Sequence, residues 1–222
     1  MAAVIITILK KENCSENESQ LRRLNEKIGA IKSYYKGVEY MQLEVDEITL
    51  RKWRMDDAPR LAEIANNKYI FDNLRDAIPY PYSEKDAEDY ISMALNADDK
   101  THLFAIELDG KVVGSIGGFI QGDIYRKNAE IGYYLEKQYW ARGIMSKSIK
   151  TLTNYLFSNF DLLRIYAEPF ARNIGSRRAL EKAGFSLGAT IKCGAVKNDI
   201  VEDYCIYSLL SDKALSLQRM SD

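Results

Sequence analysis

The chain has 222 residues, 46% hydrophobic and 28% charged, with 31 basic against 32 acidic side chains and a net charge of −1. That length supports one full core plus an added segment. The charge balance excludes a domain-wide basic surface, so neither nucleic acid nor a membrane is expected as a partner.

Residues Ala2 to Leu9 are apolar but too short to cross a bilayer. They lack a basic leader region and a small-residue cleavage site, so they read as an edge strand rather than a secretory signal. Leu21, Leu24, Ile28, Ile31 and Tyr35 follow a 3-4-3-4 spacing, which predicts a helix with one apolar stripe. Two heptads are too few for a coiled coil. The stripe packs either on its own domain or on a second copy, which leaves a homodimer open. Residues 1–46 form an N-terminal extension on this reading, 47–212 the main domain and 213–222 a C-terminal tail.

From Glu47 the pattern changes to a compact α/β alternation. Ile48 to Trp53 reads as a strand, with Asp56 or Asp57 capping the next helix and Pro59 in its first turn. Residues 69–82 are rich in aromatic and acidic side chains. Ser83 and Asp86 then form an S-x-x-D capping pattern. Leu103–Leu108 and Val112–Ile120 are predicted strands joined by Asp109-Gly110, a hairpin signal. Asn128–Leu135 is another strand, and Met145, Ile149, Leu152 and Leu156 mark the face of the following helix. Leu163–Glu168 is strand-like, Ser176–Ala183 is helical and stops at Gly184, and two strands, Phe185–Ile191 and Val201–Leu210, close the domain. The order predicts a mixed sheet, antiparallel in its first meander, with one right-handed parallel crossover from Ile131 to Ile165.

The stretch Trp140-Ala141-Arg142-Gly143-Ile144-Met145-Ser146 lies between a predicted strand and a predicted helix. Such a turn gathers unpaired N–H groups at the positive end of a helix dipole and suits a phosphate. It is neither a P-loop nor a dinucleotide fingerprint, since no Gly-Lys-Ser/Thr follows and only one glycine sits in it. An ordinary strand-to-helix turn is the other reading.

Three blocks carry a family resemblance. The first is Ala129-Glu130-Ile131-Gly132-Tyr133 leading to Tyr139-Trp140-Ala141-Arg142-Gly143-Ile144. The second is Asn173-Ile174-Gly175-Ser176 followed by Leu180-Glu181-Lys182-Ala183-Gly184-Phe185. The third is Ile78-Pro79-Tyr80-Pro81-Tyr82 before the acidic capping helix. With these blocks in this order, the chain resembles a GNAT N-acetyltransferase of the ribosomal-protein (RimJ/RimL-like) branch. The resemblance covers about residues 47 to 212.

The resemblance implies an α/β (α+β) fold: a mixed, mostly antiparallel sheet with helices on both faces and a parallel strand pair that splays at the cofactor site. It implies acetyl-CoA as co-substrate, with the pyrophosphate held by Ala141, Arg142, Gly143, Ile144, Met145 and Ser146. Met145 stands where the family has a small residue. Pantetheine would pair with the strand ending at Leu135, and Asn173 would bond the cofactor arm or cap its own helix.

Acetyl transfer needs a neutral amine, a polarised thioester and a protonated leaving thiolate. Glu130 is the candidate base; its alternative role is a surface ion pair with Arg126 or Lys127. Ser176 is the candidate acid, Leu180 standing where many relatives have a Tyr; its alternative is a hydroxyl at a helix start. Tyr133, Tyr134 and Tyr166 read as core aromatics that could also serve. Phe71, Tyr80 and Tyr82, with Asp72, Asp76 and Glu84 among them, are candidates for binding the amine; the alternative, favoured for at least half of them, is a loop packed on the core. His102 has no catalytic partner by spacing, and no His/Cys/Asp cluster suggests a metal. The reading is an N-acetyltransferase acting on a protein N-terminus. A small amine is the alternative acceptor, and a non-catalytic acyl-CoA-binding module is the alternative class.

Overall fold

The structure, a computed structural model, describes residues 42–219. Cys14, the apolar segment Ala2–Leu9 and the predicted stripe from Leu21 to Tyr35 lie outside the described residues.

Two strands, β1 (Gln42–Val45) and β2 (Ile48–Arg51), open the fold as a hairpin turning on Asp46, whose φ is +51°. The sheet therefore begins at Gln42, ahead of the expected Glu47, because β1 pairs along its whole length with β2. Helices α1 (Ala58–Ala65), α2 (Lys68–Phe71) and α3 (Glu84–Leu95) follow. Strands β3 (Thr101–Leu108), β4 (Lys111–Ile120) and β5 (Asn128–Leu135) form the meander. Then come α4 (Ile144–Asn159), β6 (Arg164–Ala167), α5 (Ile174–Lys182), β7 (Ser186–Lys197), β8 (Ile200–Leu210) and α6 (Asp212–Arg219). The eight strands order as β1-β2-β3-β4-β5-β6-β8-β7, and β5–β6 is the single parallel pair among the described residues. The expected mixed sheet is what forms.

Local chemistry explains most boundaries. Asp109 and Gly110 both take positive φ, as the tight β3–β4 turn requires. The Ser83 hydroxyl accepts the Asp86 N–H, and the Asp86 carboxylate accepts the Ser83 N–H at 2.8 Å, so the predicted capping box forms. Asp57 precedes α1 as expected, but its carboxylate does not cap it. It receives both Arg51 guanidinium nitrogens, at 2.7 and 2.8 Å, while Arg51 Nε donates to Glu107 at 2.6 Å. A buried arginine must be paired, and that demand outweighs one helix cap. At the other end, β7 runs well past its expected limit at Ile191, to Lys197 and a turn on Asn198 and Asp199, whereas β8 matches its expected span to within one residue. Residues 212–219, inside and just before the expected tail, form α6.

Helices cover both faces of the sheet. Leu103 and Ala105 of β3 pack with Trp53, Leu61, Ile64, Ala87 and Ile91 under α1 and α3. Phe104, between them in sequence, points the other way and meets Tyr155 of α4 edge-on at 6.0 Å. Gly118 lets α4 come close: a Cβ there would lie 2.8 Å from the Leu156 side chain.

Candidate active site

The site begins where β5 ends. A 3-10 turn, Lys137–Tyr139, leads to Trp140, whose indole N–H donates to the Leu135 carbonyl at 2.7 Å. That bond ties the turn to the strand. Ala141 and Gly143 then take φ of +62° and +81°, on either side of Arg142. A left-handed alanine costs roughly 1–2 kcal/mol, and such strain concentrates at functional sites. Nothing lies within 4 Å of a Cβ built on Gly143, so the glycine answers to backbone conformation rather than space.

The first backbone bond into α4 runs from the Lys147 N–H to the Gly143 carbonyl, at 3.1 Å. No N–H of residues 141–146 donates to an acceptor among the described residues. Six adjacent donors at a helix start are what a pyrophosphate requires. Arg142 is exposed and lies over the Tyr139 ring at 5.4 Å, and Met145 is half-buried. The Ser146 hydroxyl donates to the Gly143 carbonyl at 2.8 Å. Its proton is spent within the first turn, which leaves the Ser146 backbone N–H as the donor still unpaired there.

Beside this turn the sheet opens. β5 and β6 pair only from Asn128/Arg164 to Glu130/Tyr166, whereas β5 stays paired with β4 as far as Leu135. The edge of β5 from Ile131 to Leu135 thus carries no strand among the described residues. Asn173 lies at the start of α5, where its Oδ1 accepts the Ser176 N–H at 3.1 Å. The cap is real, and Nδ2 keeps no partner among the described residues. Ser176 Oγ lies 2.8 Å from the hydroxyl of Tyr133 on β5. Burial pushes the Tyr133 phenol above its ordinary pKa, so it stays protonated. The unpaired amide donors, the open strand edge and the free Asn173 amide all suit the phosphates and amide-bearing arm of acetyl-CoA.

Glu130 sits at the fork, on the last paired residue of β5. The structure replaces its expected partners. Lys127 pairs with Asp161 at 2.8 Å, and Arg126 donates to the Asp123 carbonyl. Glu130 instead receives Nη2 of Arg75, and the same nitrogen lies 3.3 Å from Glu168. Exposure rises outward, from 19% for the Glu130 side chain to 30% for Glu168 and 71% for Arg75. Burial raises the Glu130 pKa above the usual glutamate value, Arg75 pulls it down, and Glu168 pushes it up.

A cavity of about 320 Å³ opens beside this trio, walled by Asn73, Asp76, Phe170, Tyr204 and Ala195–Lys197 as well as Arg75 and Glu168. Lys197 is only 2% exposed; its ammonium meets Asp76 at 2.7 Å and the Phe71 ring at 3.7 Å. Phe71 in turn stacks on exposed Tyr80 at 5.2 Å. Phe71 and Tyr80 therefore support the cavity from behind Lys197 rather than line it.

Tyr82 follows the alternative reading and belongs to the core rather than to a binding surface. It is 6% exposed, packs with Trp53, Leu61 and Ile91, and gives its hydroxyl to the Asp86 carbonyl at 3.2 Å. The loop before α3 needs an anchor, and Tyr82 supplies it. Tyr134 joins the same core, and Tyr166 lies under the Arg164 guanidinium. His102 packs on Tyr155 and Phe160, its pKa lowered by burial. Of the two described cysteines, Cys205 is buried and Cys193 is exposed, on a left-handed residue of β7.

Arg75, Glu168 and Lys197 were not singled out in the sequence. The acidic-aromatic content of residues 69–82 marks the neighbourhood, but no local signal pairs Arg75 with β5 and β6. Among the described residues no helix is long and apolar enough to cross a membrane.

Comparison with known proteins places this geometry. Residues 47–186 match the family model described as an acetyltransferase (GNAT) domain. A Bacillus subtilis protein named "Probable N-acetyltransferase YjcK" is 32% identical over 121 residues, 53% of this chain and 65% of that one. The ribosomal-protein-serine acetyltransferase of Escherichia coli is 26% identical over 110 residues, 50% of this chain and 61% of that one. The chain thus spans just under two thirds of either relative. A solved structure of RimL, a ribosomal L7/L12 alpha-N-protein acetyltransferase in complex with coenzyme A, shares the fold. Its TM-score is 0.70 at 20% identity, over 77% of this chain and 98% of that one.

Proposed function

Since the chain belongs to the GNAT acetyltransferase family, with residues 47–186 as its acetyl-CoA-dependent N-acetyltransferase domain, we propose that it acetylates the α-amino group of a protein N-terminus. Acetyl-CoA supplies an activated acetyl group on a thiol leaving group. The observation that carries the reading is the open edge of β5, which runs from Glu130 to the Trp140–Ser146 turn. The amide donors of residues 141–146 hold the pyrophosphate, with Met145 tolerated because the grip is made by backbone. The edge from Ile131 to Leu135 pairs with the pantetheine amides as a further strand would. The Asn173 amide N–H donates to the same arm.

Glu130 takes the proton from the incoming ammonium. An α-amine of pKa near 8 needs only modest help, and a carboxylate with a raised pKa is a better acceptor than an ordinary surface glutamate. Ser176, held by Tyr133, offers its hydroxyl proton to the departing thiolate. The amine attacks directly, with no covalent enzyme intermediate. A protein acceptor is supported by the name of the E. coli relative, a ribosomal-protein-serine acetyltransferase, and by the 71% exposure of Arg75, which opens the carboxylates to the surface. The cytoplasm, where acetyl-CoA and nascent N-termini meet, is the compartment this reading requires.

A second reading has its own observation: a cavity of about 320 Å³ is at the lower end of sizes that enclose small ligands, here a small amine. The test is thiol release from acetyl-CoA with peptides bearing free N-termini, alongside spermidine and glucosamine. Turnover on peptides alone supports the first reading and turnover on the small amines alone overturns it. Saturable acetyl-CoA binding without turnover on any of them overturns both. In Glu130→Gln, kcat should fall by about 10²-fold or more, the range for a general base, with acetyl-CoA affinity unchanged.

A further inference from the structure

Three charged side chains from three separate elements meet at the fork of β5 and β6. Glu130 comes from β5, Glu168 from the residue just past the end of β6, and Arg75 from the loop between α2 and α3. In register, Glu130 pairs with Tyr166, and Glu168 follows two residues later, where the two chains diverge. Their carboxylates converge on one nitrogen, Nη2 of Arg75, on the side where the cavity opens. Arg75 has a second free route, since its side chain is largely in solvent. No other hydrogen bond or ion pair of its side chain holds it among the described residues.

We propose that Arg75 is an internal stand-in for the substrate's cation: it occupies the seat between Glu130 and Glu168 until a protonated primary amine displaces it. The proposal rests on Glu130 acting as the base. An ammonium entering this seat has the same charge as the guanidinium that leaves, so no carboxylate is stranded without a counter-ion. Once seated, the ammonium gives one N–H proton to the Glu130 carboxylate. The nitrogen lone pair so freed attacks the acetyl carbonyl, the C–S bond breaks, the second proton lost by the nitrogen reaches the departing thiolate by way of Ser176, and Glu130 later releases its own proton to solvent. Arg75 is thus a specificity-determining residue rather than a catalytic one. It sets a threshold that a neutral hydroxyl or amide cannot cross, because neither can replace its charge. The same exchange keeps one positive charge between Glu130 and Glu168 from turnover to turnover.

The consequence is a split in the kinetic constants. Arg75→Ala and Arg75→Gln, in the full chain, remove the competitor. The KM for a cationic amine should fall by about 5-fold, the size of one solvent-accessible ion pair, with the KM for acetyl-CoA unchanged. Methylguanidinium should then inhibit both variants competitively against the amine. A second measurement needs no turnover. In 15N-labelled protein the Arg75 Nε signal, assigned by its loss in Arg75→Ala, should move saturably on adding n-butylammonium chloride. It should not move with sodium chloride at equal ionic strength. An unmoved Arg75 signal, or an amine KM unchanged or raised in both variants, overturns the proposal. Should the wild type acetylate no amine, the acetyl-acceptor reading fails, and the signal alone still decides whether Arg75 yields its seat.

Discussion

At the scale of single residues, Glu130 shows how much one position can say and how much it conceals. Its place before Ile131-Gly132-Tyr133 was legible, as was its candidacy for the base. Its partner was not, because Arg75 is 55 positions away and no periodicity links a loop to a strand. The electrostatics have two measurable signs. The base works only when ionised, so kcat/KM should decline on acidification at a pH above the usual glutamate range. The raised pKa also means that the folded state binds this proton more tightly than the unfolded chain. That contribution favours the fold at low pH and is lost as pH rises through the folded-state pKa. At neutral pH the ionised carboxylate is a net cost, so Glu130→Gln should melt no lower than wild type while losing turnover. A variant that lost both would mark Glu130 as a structural ion-pair partner. Met145 offers the complementary case. Its backbone N–H is the working part, so Met145→Ala should keep acetyl-CoA affinity or raise it, measured by equilibrium binding. A large loss would mean that the side chain itself holds the cofactor. Tyr82 carried the wrong inference for a plain reason: residue type cannot tell a pocket wall from a core anchor, and both favour aromatics.

At the scale of elements, turn chemistry was the most legible feature. Asp109-Gly110, Ser83/Asp86 and Gly184 each act where their side chains or their backbone freedom place them. What the sequence hid were features set by partners elsewhere. Asp57 looks like a helix cap and instead clamps Arg51, which also holds Glu107 of β3. Two carboxylates and one guanidinium thus lock β2, the start of α1 and β3 together. Charge burial makes this fragile to partial removal. Arg51→Ala should cost about 3–5 kcal/mol in denaturant unfolding, since it leaves Asp57 buried and unpaired. A loss under about 1 kcal/mol would show that water replaces the guanidinium freely. The outer half of β7, from Lys192 to Lys197, escaped the pattern because Gly194 interrupts it and its apolar Val196 is exposed, which breaks the alternation.

For the whole molecule, the sheet order followed from short connections and hairpin signals, with the parallel pair placed by the helix between β5 and β6. The extent of that pairing did not follow, since three paired residues and a longer strand beyond them depend on where β6 bends away. That divergence has a consequence for the economy of the fold. A β-sheet is ordinarily complete when its chain has folded, yet among the described residues the internal strand β5 keeps a bare edge from Ile131 to Leu135. With acetyl-CoA seated there, the co-substrate doubles as a structural member, and loading and stability become one equilibrium. With acetyl-CoA at a hundred times its dissociation constant, mass action adds about 2.7 kcal/mol to the folded state. The melting temperature should climb with acetyl-CoA concentration, and protease cleavage between residues 131 and 146 should slow in parallel. A melting temperature indifferent to acetyl-CoA would mean that the gap is filled by something else. In a cell, the abundance of such a protein would follow the supply of acetyl groups it exists to spend.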